Sequence, residues 1–394
     1  MPPRAIIAGA GIGGLATAIA LSQAGLKVTV YEKTQKLEEF GAGLQLTPNA
    51  TRVLSRLGVL ERVRRLSSRP EAILALRGSD NAVLMRLPIH DAEDRWGAEY
   101  LVIHRADLQT ALVEAAAGQS GIVLSLGVAV TGFAADGDTV SVGLQRGSAT
   151  DRDQADLLIG ADGLRSQVRH GMGFGAPDQA DFTGRFAYRA ILNAEDADPR
   201  WAQSEIVLRL GPEAHVVQYA LRRGSAINLV ATVKSGWRVD DADPQWNGAA
   251  DRSALEREFA GWSKEASALI AAPAQWRAWP LYSRPPISSF SLGRAALVGD
   301  AAHPMVPFLA QGAAQAVEDA GALMRLIART PDIPDALALY SRERVQRTAR
   351  VQREALRQGR IYHLGGPLAF ARDMTMRALG PDRLMKRYDW LYGA

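Results

Sequence analysis

Cysteine is absent from this sequence of 394 residues. Its absence excludes disulfides, thiolate metal sites, iron–sulfur clusters and a cysteine nucleophile. Histidine is scarce as well: the six histidines stand at positions 90, 104, 170, 215, 303 and 363, and no two of them have the spacing of metal ligands. We therefore expect no metal site, and the lack of cysteine fits a reducing compartment.

Long apolar runs and a concentration of one charge are also lacking. The apolar run from Ala5 to Leu21 is shorter than the roughly 20 residues that span a bilayer, and glycines interrupt it. The net charge is only +4, and acidic residues are interleaved with the basic ones almost everywhere. These patterns predict a cytoplasmic protein with no stable membrane insertion and no nucleic-acid partner.

A strand–helix–strand unit occupies the first 32 residues. An apolar strand at 4–8 leads into a G-x-G-x-x-G motif at 9–14, and Ile12, Leu15, Ala16 and Ile19 follow at helical spacing. Gly25 ends the predicted helix, and a second strand at 27–31 ends at an acid, Glu32.

Each part of this unit suits a dinucleotide. Gly9 permits the tight turn, Gly11 allows the backbone to approach a pyrophosphate, and Gly14 allows the helix to pack closely on the strand. The helix N-terminus offers free N–H groups to phosphates. Glu32 accepts hydrogen bonds from ribose hydroxyls and disfavours a 2′-phosphate, which indicates FAD or NAD. The alternative is a glycine-rich turn in an unrelated α/β protein.

In each of two further motifs, a predicted strand leads to an aspartate and a helix follows. In DLLIGADGLRSQVR (156–169) a strand leads into Asp162 and a helix that begins near Ser166. In AALVGDAAHPMVPFLAQGAAQAVEDA (295–320) a strand ends at Asp300, and Gln311 opens a helix. No second strand-linked G-x-G-x-x-G occurs, so a nicotinamide coenzyme would have no Rossmann domain of its own.

With these three motifs in this order, the sequence resembles the class A flavoprotein monooxygenases, the FAD-dependent aromatic hydroxylases. Within that family it looks most similar to 3-hydroxybenzoate 6-hydroxylases, followed by 6-hydroxynicotinate and salicylate hydroxylases. Segments at 41–49, 104–108 and 387–393 extend the resemblance over nearly the whole sequence. It implies an α/β fold, in which a Rossmann-like FAD-binding domain carries an inserted antiparallel-sheet substrate domain and C-terminal helices. The implied FAD-binding domain covers 1–70, 101–180 and 281–330, the substrate domain covers 71–100 and 181–280, and helices cover 331–394.

The resemblance also implies an activity. Reduced flavin captures dioxygen as a hydroperoxide, NADH or NADPH binds transiently as the reductant, and a small phenolic or N-heteroaromatic substrate is hydroxylated. A phenolate attacks faster than a phenol, so the site needs a base or relay at the phenolic oxygen. A homodimer is the expectation from the family.

Roles follow by matching positions. Glu32 would bind the adenosine ribose, Arg105 the pyrophosphate or ribityl region, and Asp300 the ribityl chain. The remaining implied cofactor contacts are Gly9, Gly11, Gly14, Lys33, Gly41, Gly43, Gln45, Asp162, Gln311, Gly312 and Ala313. Several have a structural alternative: Asp162 and Ser166 suit a helix start, the neighbourhood of Gln45 suits a simple loop, and we expect His303 to be structural.

Alternating residues at 186–192, 205–210, 215–221 and 226–233 predict the strands of the substrate domain, joined by strands near 73–76 and 83–87. The period of two places His215 and Tyr219 on one face. The resemblance makes these two the catalytic and substrate-binding pair, although a buried histidine and a core tyrosine would explain the same pattern.

Other substrate contacts are less constrained. Arg189 and Arg209 are candidate partners for a substrate carboxylate, or members of surface ion pairs. Pro307 stands where 3-hydroxybenzoate hydroxylases place a polar amide, and Gln45 stands where the 6-hydroxynicotinate enzymes place a histidine. The substrate is therefore expected to differ from these acids, and an apolar loop fits a less polar ring.

Two matters stay open from the sequence. An epoxidase or reductase of the same fold, or a flavin-binding protein without activity, would share the motifs. Seven arginines between 342 and 360 predict a helix with a solvated basic face across the flavin domain, although a membrane, nucleic acid or subunit contact would also suit it. The aromatic segment at 389–392 is expected to dock on the body of the protein.

Overall fold

The computed structural model describes residues 2–37, 42–234 and 248–393. Gly41, one of the expected cofactor contacts, lies outside these residues. The strands are β1 (Arg4–Ala8), β2 (Lys27–Glu32), β3 (Gly43–Leu46), β4 (Ala72–Arg77), β5 (Val83–Pro88), β6 (Leu101–His104), β7 (Ile122–Leu126), β8 (Ala129–Asp136), β9 (Thr139–Arg146), β10 (Ala149–Ala155), β11 (Leu157–Gly160), β12 (Asp181–Asn193), β13 (Glu205–Gly211), β14 (Ala214–Leu221), β15 (Ala226–Lys234), β16 (Gly248–Ala249), β17 (Arg277–Ser283), β18 (Ser291–Leu292) and β19 (Ala295–Leu297).

The helices complete the description of the chain. They are α1 (Ile12–Gln23), α2 (Pro48–Arg56), α3 (Leu60–Leu66), α4 (Ala92–Trp96), α5 (Arg105–Ala117), α6 (Gln167–Gly171), α7 (Arg252–Glu258), α8 (Lys264–Ala271), α9 (Gly312–Ile327), α10 (Ile333–Tyr362), α11 (Gly366–Lys386) and α12 (Asp389–Tyr392). Within the described residues, no helix is both long enough and apolar enough to cross a membrane.

A six-stranded sheet has the order β18-β19-β11-β1-β2-β7, and every pair except β18/β19 is parallel. Strand β1 is central and almost entirely buried, as a strand covered on both faces must be. The carboxyl ends of the parallel strands share one edge of the sheet, where ligands of such folds bind. The three sequence motifs therefore meet at that edge, since each follows one of these strands.

A second sheet has eight strands in the order β16-β17-β12-β15-β14-β13-β4-β5. It contains the strands expected for the substrate domain, but the β13/β4 pair is parallel, so the sheet is mixed where the sequence predicted an antiparallel one. β4 forms a hairpin with β5 but is distant from β13 in sequence, so no short connection requires β4 and β13 to be antiparallel. The exact domain boundaries remain a prediction.

The long helix α10 covers the arginine-rich segment, but it does not present all its arginines to solvent. Arg344 is buried and Arg347 is partly buried, and both pair with Glu318 of α9. Arg350 stacks on the ring of Trp390, with its guanidinium carbon 3.7 Å from the ring centroid. Five of the seven arginines are exposed, so the expected solvated basic face is present, whereas Arg344 and Arg347 bind α9 instead of facing solvent.

Candidate functional site

The turn between β1 and α1 has the shape that a pyrophosphate requires. A methyl group on Gly14 would lie 2.0 Å from the Gly9 carbonyl oxygen, whereas one on Gly11 would meet nothing within 4 Å. The backbone is thus tightly packed on its inner side and open on its outer side. No side chain caps the N-terminus of α1, so its N–H groups face that opening.

Glu32, at the end of β2, shapes this turn. Its Oε2 accepts a hydrogen bond from the Ala10 backbone N–H at 2.9 Å, and its Oε1 accepts from the Thr34 N–H at 2.9 Å. Oε1 also accepts from the Thr34 hydroxyl at 3.0 Å, so the carboxylate is held at the phosphate-binding edge and its Oε2 keeps a lone pair for a ribose hydroxyl. Lys33 is exposed beside it.

A cavity of about 320 Å³ runs from this turn to the face of the eight-stranded sheet. Its walls come from both sheets, the β3 strand and the start of α9. The expected site residues that line it are Gly11, Gly43, Gln45, Arg105, Arg189, His215, Tyr219, Asp300, Pro307, Gly312 and Ala313. Those that do not line it are Gly9, Gly14, Glu32, Lys33, Asp162 and Gln311. The first group could contact a ring system directly, and most of the second shape the surrounding backbone.

Arg105 and Asp300 supply the charges in the middle of the cavity. Burial lowers the pKa of Arg105, and the neighbouring Asp300 opposes that effect. The confined position of Asp300 raises the pKa of its carboxyl, against the influence of His303 and Arg105. Both residues line the cavity, so a polar chain bound there could contact both.

Asp162 and Ser166 are occupied in starting α6. The Asp162 Oδ2 accepts from the Gln167 N–H at 2.7 Å and from the Val168 N–H at 3.2 Å. The Ser166 hydroxyl oxygen accepts from the Arg169 N–H at 2.8 Å. The neighbours Ala161 and Gly163, rather than Asp162, form the cavity wall. This geometry favours the structural interpretation for both residues.

Gln311 also turns away from the cavity. Its side chain is buried, donates to the Thr47 hydroxyl at 2.9 Å and accepts from Asn49 and Gln315. The expectation of a flavin contact therefore fits the backbone at this helix start better than the Gln311 side chain. His303 is similarly engaged, because its Nε2 lies 2.6 Å from the Asp319 carboxylate in a buried pair. This buried contact favours the structural role expected for His303.

His215 and Tyr219 share one face of β14, as the period of two predicts, and both line the cavity. The His215 Nδ1 lies 2.7 Å from Nε2 of His363, at the end of α10. Burial lowers the pKa of His215 to about 3 and that of His363 to about 2. Burial also raises the pKa of the Tyr219 hydroxyl, although Arg189 opposes that effect. All three side chains are therefore neutral near pH 7.

The two arginines considered for a substrate carboxylate have different surroundings. Arg189 lines the cavity, lies 5.1 Å from the Trp279 ring centroid, and its Nε has no hydrogen-bond partner among the described residues. Arg209 is buried on the opposite face of the sheet, where it donates to Gln218 and Glu265. Arg209 was therefore a wrong candidate, because Arg209 and His215 lie on opposite faces of their paired strands.

Several residues of the candidate site were not predicted from the sequence. His363 stands at the end of a helix with no motif around it. Asn228 accepts from the Gly43 N–H at 2.7 Å and so fixes the strand that carries Gln45. Four tyrosines, at 100, 362, 388 and 392, line a small chamber next to His215. The sequence predicted that the aromatic segment at 389–392 docks on the body of the protein, and Leu391 and Tyr392 are buried there, but it did not indicate which residues they contact.

Comparison with known proteins agrees with this geometry. Residues 4–355 match the family model described as an FAD binding domain. The chain is 35% identical to a 3-hydroxybenzoate 6-hydroxylase of Polaromonas naphthalenivorans, over 98% of this chain and 95% of that protein. It is 33% identical to a 6-hydroxynicotinate 3-monooxygenase of Bordetella bronchiseptica, over 89% and 90% of the two chains.

A solved structure is similar over the same length. Klebsiella pneumoniae HpxO complexed with FAD and uric acid superimposes with a TM-score of 0.86 at 26% identity, covering 98% of this chain and 95% of that chain. The expected fold is thus confirmed, and the open glycine turn with Glu32 fits FAD. The chain belongs to the FAD binding domain family and, within it, to the FAD-dependent hydroxylases and monooxygenases.

Proposed function

We propose that this enzyme hydroxylates a small phenolic or N-heteroaromatic compound with dioxygen and NADH or NADPH. The observation that carries the proposal is a continuous cavity that joins the dinucleotide turn to the His215 and Tyr219 face of β14. One oxygen atom enters the ring and the other leaves as water, while the coenzyme supplies two electrons as hydride.

The residues that would hold FAD follow from their positions. Gly11 and the start of α1 would receive the pyrophosphate, Glu32 the adenosine ribose, and Arg105 with Asp300 the middle of the molecule. Gly43, Gln45, Gly312 and Ala313 would border the ring system, where the N-terminus of α9 favours negative charge. FAD supplies the chemistry that activates dioxygen, which no side chain in this cavity could provide.

His215 and Tyr219 are proposed to bind the phenolic oxygen of the substrate. Tyr219 stays protonated because its pKa is raised, so it donates a hydrogen bond to that oxygen. The donated bond favours the phenolate and thereby makes the ring a better nucleophile. Arg189, which lies near Tyr219 and has a free Nε, adds positive charge on the same side.

The test is NADH and NADPH oxidation by the FAD-loaded protein, with and without a panel of phenols, hydroxybenzoates and hydroxynicotinates. We expect one class of aromatic compound to accelerate oxidation and to yield a product heavier by one oxygen atom. Tyr219→Phe should reduce the yield of hydroxylated product at least tenfold without changing FAD affinity. Tyr188→Phe, on strand β12 of the same sheet and outside the cavity, is the matched control.

Two outcomes would contradict the proposal. Accelerated oxidation that yields only hydrogen peroxide would show that the compounds bind without being hydroxylated. No acceleration by any compound would favour an epoxidase, a reductase or a flavin-binding protein without activity. The homodimer is a further proposal from the family resemblance, and analytical ultracentrifugation would test it. The cytoplasmic location and the absence of nucleic-acid binding are further proposals from the composition and the charge pattern of the sequence.

A further inference from the structure

A separate chamber opens from the main cavity beside His215. Its volume is about 90 Å³, and it shares Gln45, His215, Val217, Pro307 and Ala310 with the main cavity. A group bound at His215 and Tyr219 could therefore extend a substituent into it. We call it the tyrosine chamber, because Tyr100, Tyr362, Tyr388 and Tyr392 form much of its wall.

The wall of the tyrosine chamber carries no charged side chain among its described lining residues, and aliphatic and aromatic groups form much of it. Apart from the tyrosine hydroxyls, Gln45 and His215 are the polar side chains among those residues. The Gln45 oxygen already accepts from the Tyr100 hydroxyl at 2.6 Å. Burial raises the pKa of Tyr362, Tyr388 and Tyr392, which shows how poorly this region accommodates an anion.

The cations of the site lie elsewhere. Arg105 and Arg189 line the main cavity but not the tyrosine chamber. A carboxylate in the chamber would therefore lose its hydration without gaining an ion pair, which is a large cost. An alkyl group would instead be stabilised by about 0.8 kcal/mol for each buried methylene, which is about a fourfold gain in affinity.

The chamber also limits size. A water molecule occupies about 30 Å³ in the liquid. The volume of the chamber therefore corresponds to about three non-hydrogen atoms. Tyr388 and Tyr392 stack in parallel, with ring centroids 5.5 Å apart, and close one side.

We propose that the tyrosine chamber binds an uncharged, short apolar substituent of the aromatic substrate, and that the preferred substrates are alkylphenols rather than hydroxybenzoates. This inference rests on the proposed function, because it places the phenolic oxygen at His215 and Tyr219.

The test is a titration of the FAD-loaded protein, followed by the change in flavin absorbance. The probes are 3-methylphenol, 3-ethylphenol, 3-propylphenol, 3-pentylphenol and 3-hydroxybenzoate. We expect Kd to fall about fourfold for each carbon up to propyl and to stop falling at pentyl. 3-Hydroxybenzoate should bind at least tenfold more weakly than 3-propylphenol.

Two variants of β5 sharpen the test. Met85 lines the chamber and is half-buried, so Met85→Lys can bring a cation to the wall while its stem stays packed. This variant should strengthen 3-hydroxybenzoate binding about tenfold and weaken 3-propylphenol binding. Val83→Lys adds the same charge on an exposed position of the same strand and should change neither.

Each outcome is decisive. The inference is overturned if the wild type binds 3-hydroxybenzoate as tightly as 3-propylphenol, or if affinity does not depend on alkyl length. If hydroxybenzoates are also hydroxylated, the proposed function stands without the chamber. If Kd falls with alkyl length as expected but no product forms with NADH or NADPH, the inference about the chamber is supported and the proposed function is wrong.

Discussion

The paired histidines His215 and His363 make the stability of this protein depend on pH in a calculable way. Their ring nitrogens are 2.7 Å apart and both rings are buried. Burial is the main cause of their low pKa values, about 3 and about 2, and the cations of Arg185 and Arg372 add to it. In the unfolded chain each histidine would titrate near its ordinary pKa of about 6.5.

The sign follows from proton binding. Below about pH 6.5 the unfolded chain takes up protons that the folded protein does not, so acid favours unfolding until the pH approaches the folded values. Acidification from pH 7 to pH 5 should therefore lower the free energy of unfolding by about 2 kcal/mol for each histidine. The pair together should therefore cost about 4 kcal/mol over that interval.

Urea unfolding at pH 7 and pH 5, at one fixed FAD concentration, measures this difference. His363→Gln keeps a side-chain N–H donor but removes one titrating group, so the loss on acidification should shrink by about 2 kcal/mol. His170→Gln removes an exposed histidine and should leave the loss unchanged. If His363→Gln shows the full wild-type loss, then His363 does not remain neutral in the folded protein and the reasoning is refuted.

Three further predictions concern other parts of the molecule. Gly14→Ala should abolish FAD binding, measured by flavin fluorescence, because the new methyl group would lie 2.0 Å from the Gly9 carbonyl oxygen. Glu32→Gln should weaken FAD binding about tenfold or more in the same titration, since a charged acceptor is replaced by a neutral one; unchanged affinity would exclude a ribose contact. Arg344→Met should lower the free energy of unfolding by about 3–5 kcal/mol, because Asp319 and Glu318 would lose a buried partner. A loss below about 1 kcal/mol in urea would show that this ion pair is not stabilising.

The sequence was most informative where backbone geometry restricts the residue type. The G-x-G-x-x-G turn and the acid at Glu32 specify a strand–helix–strand unit locally, and the structure has β1, α1 and β2 at these positions. The alternation in β14 likewise placed His215 and Tyr219 on one face. These signals work because each depends on neighbours in the chain or on the period of a single strand.

Contacts between distant segments were not predictable in the same way. His363 meets His215 across 148 positions of sequence, and no local pattern marks either residue for the other. Arg209 was misjudged because the pairing of β13 with β14, which decides its face, is a property of the sheet. The Gln311 side chain was assigned to the flavin although its partners Thr47 and Asn49 lie far away in sequence.

The tyrosine chamber takes part of its wall from a segment of the sequence that does not reach the flavin-binding cavity. Every residue that borders the main cavity lies at or before position 316, whereas Met385, Tyr388 and Tyr392 of the chamber follow it by about 70 residues or more. Changes near positions 385–392 should therefore alter substrate choice while the cofactor site is left intact.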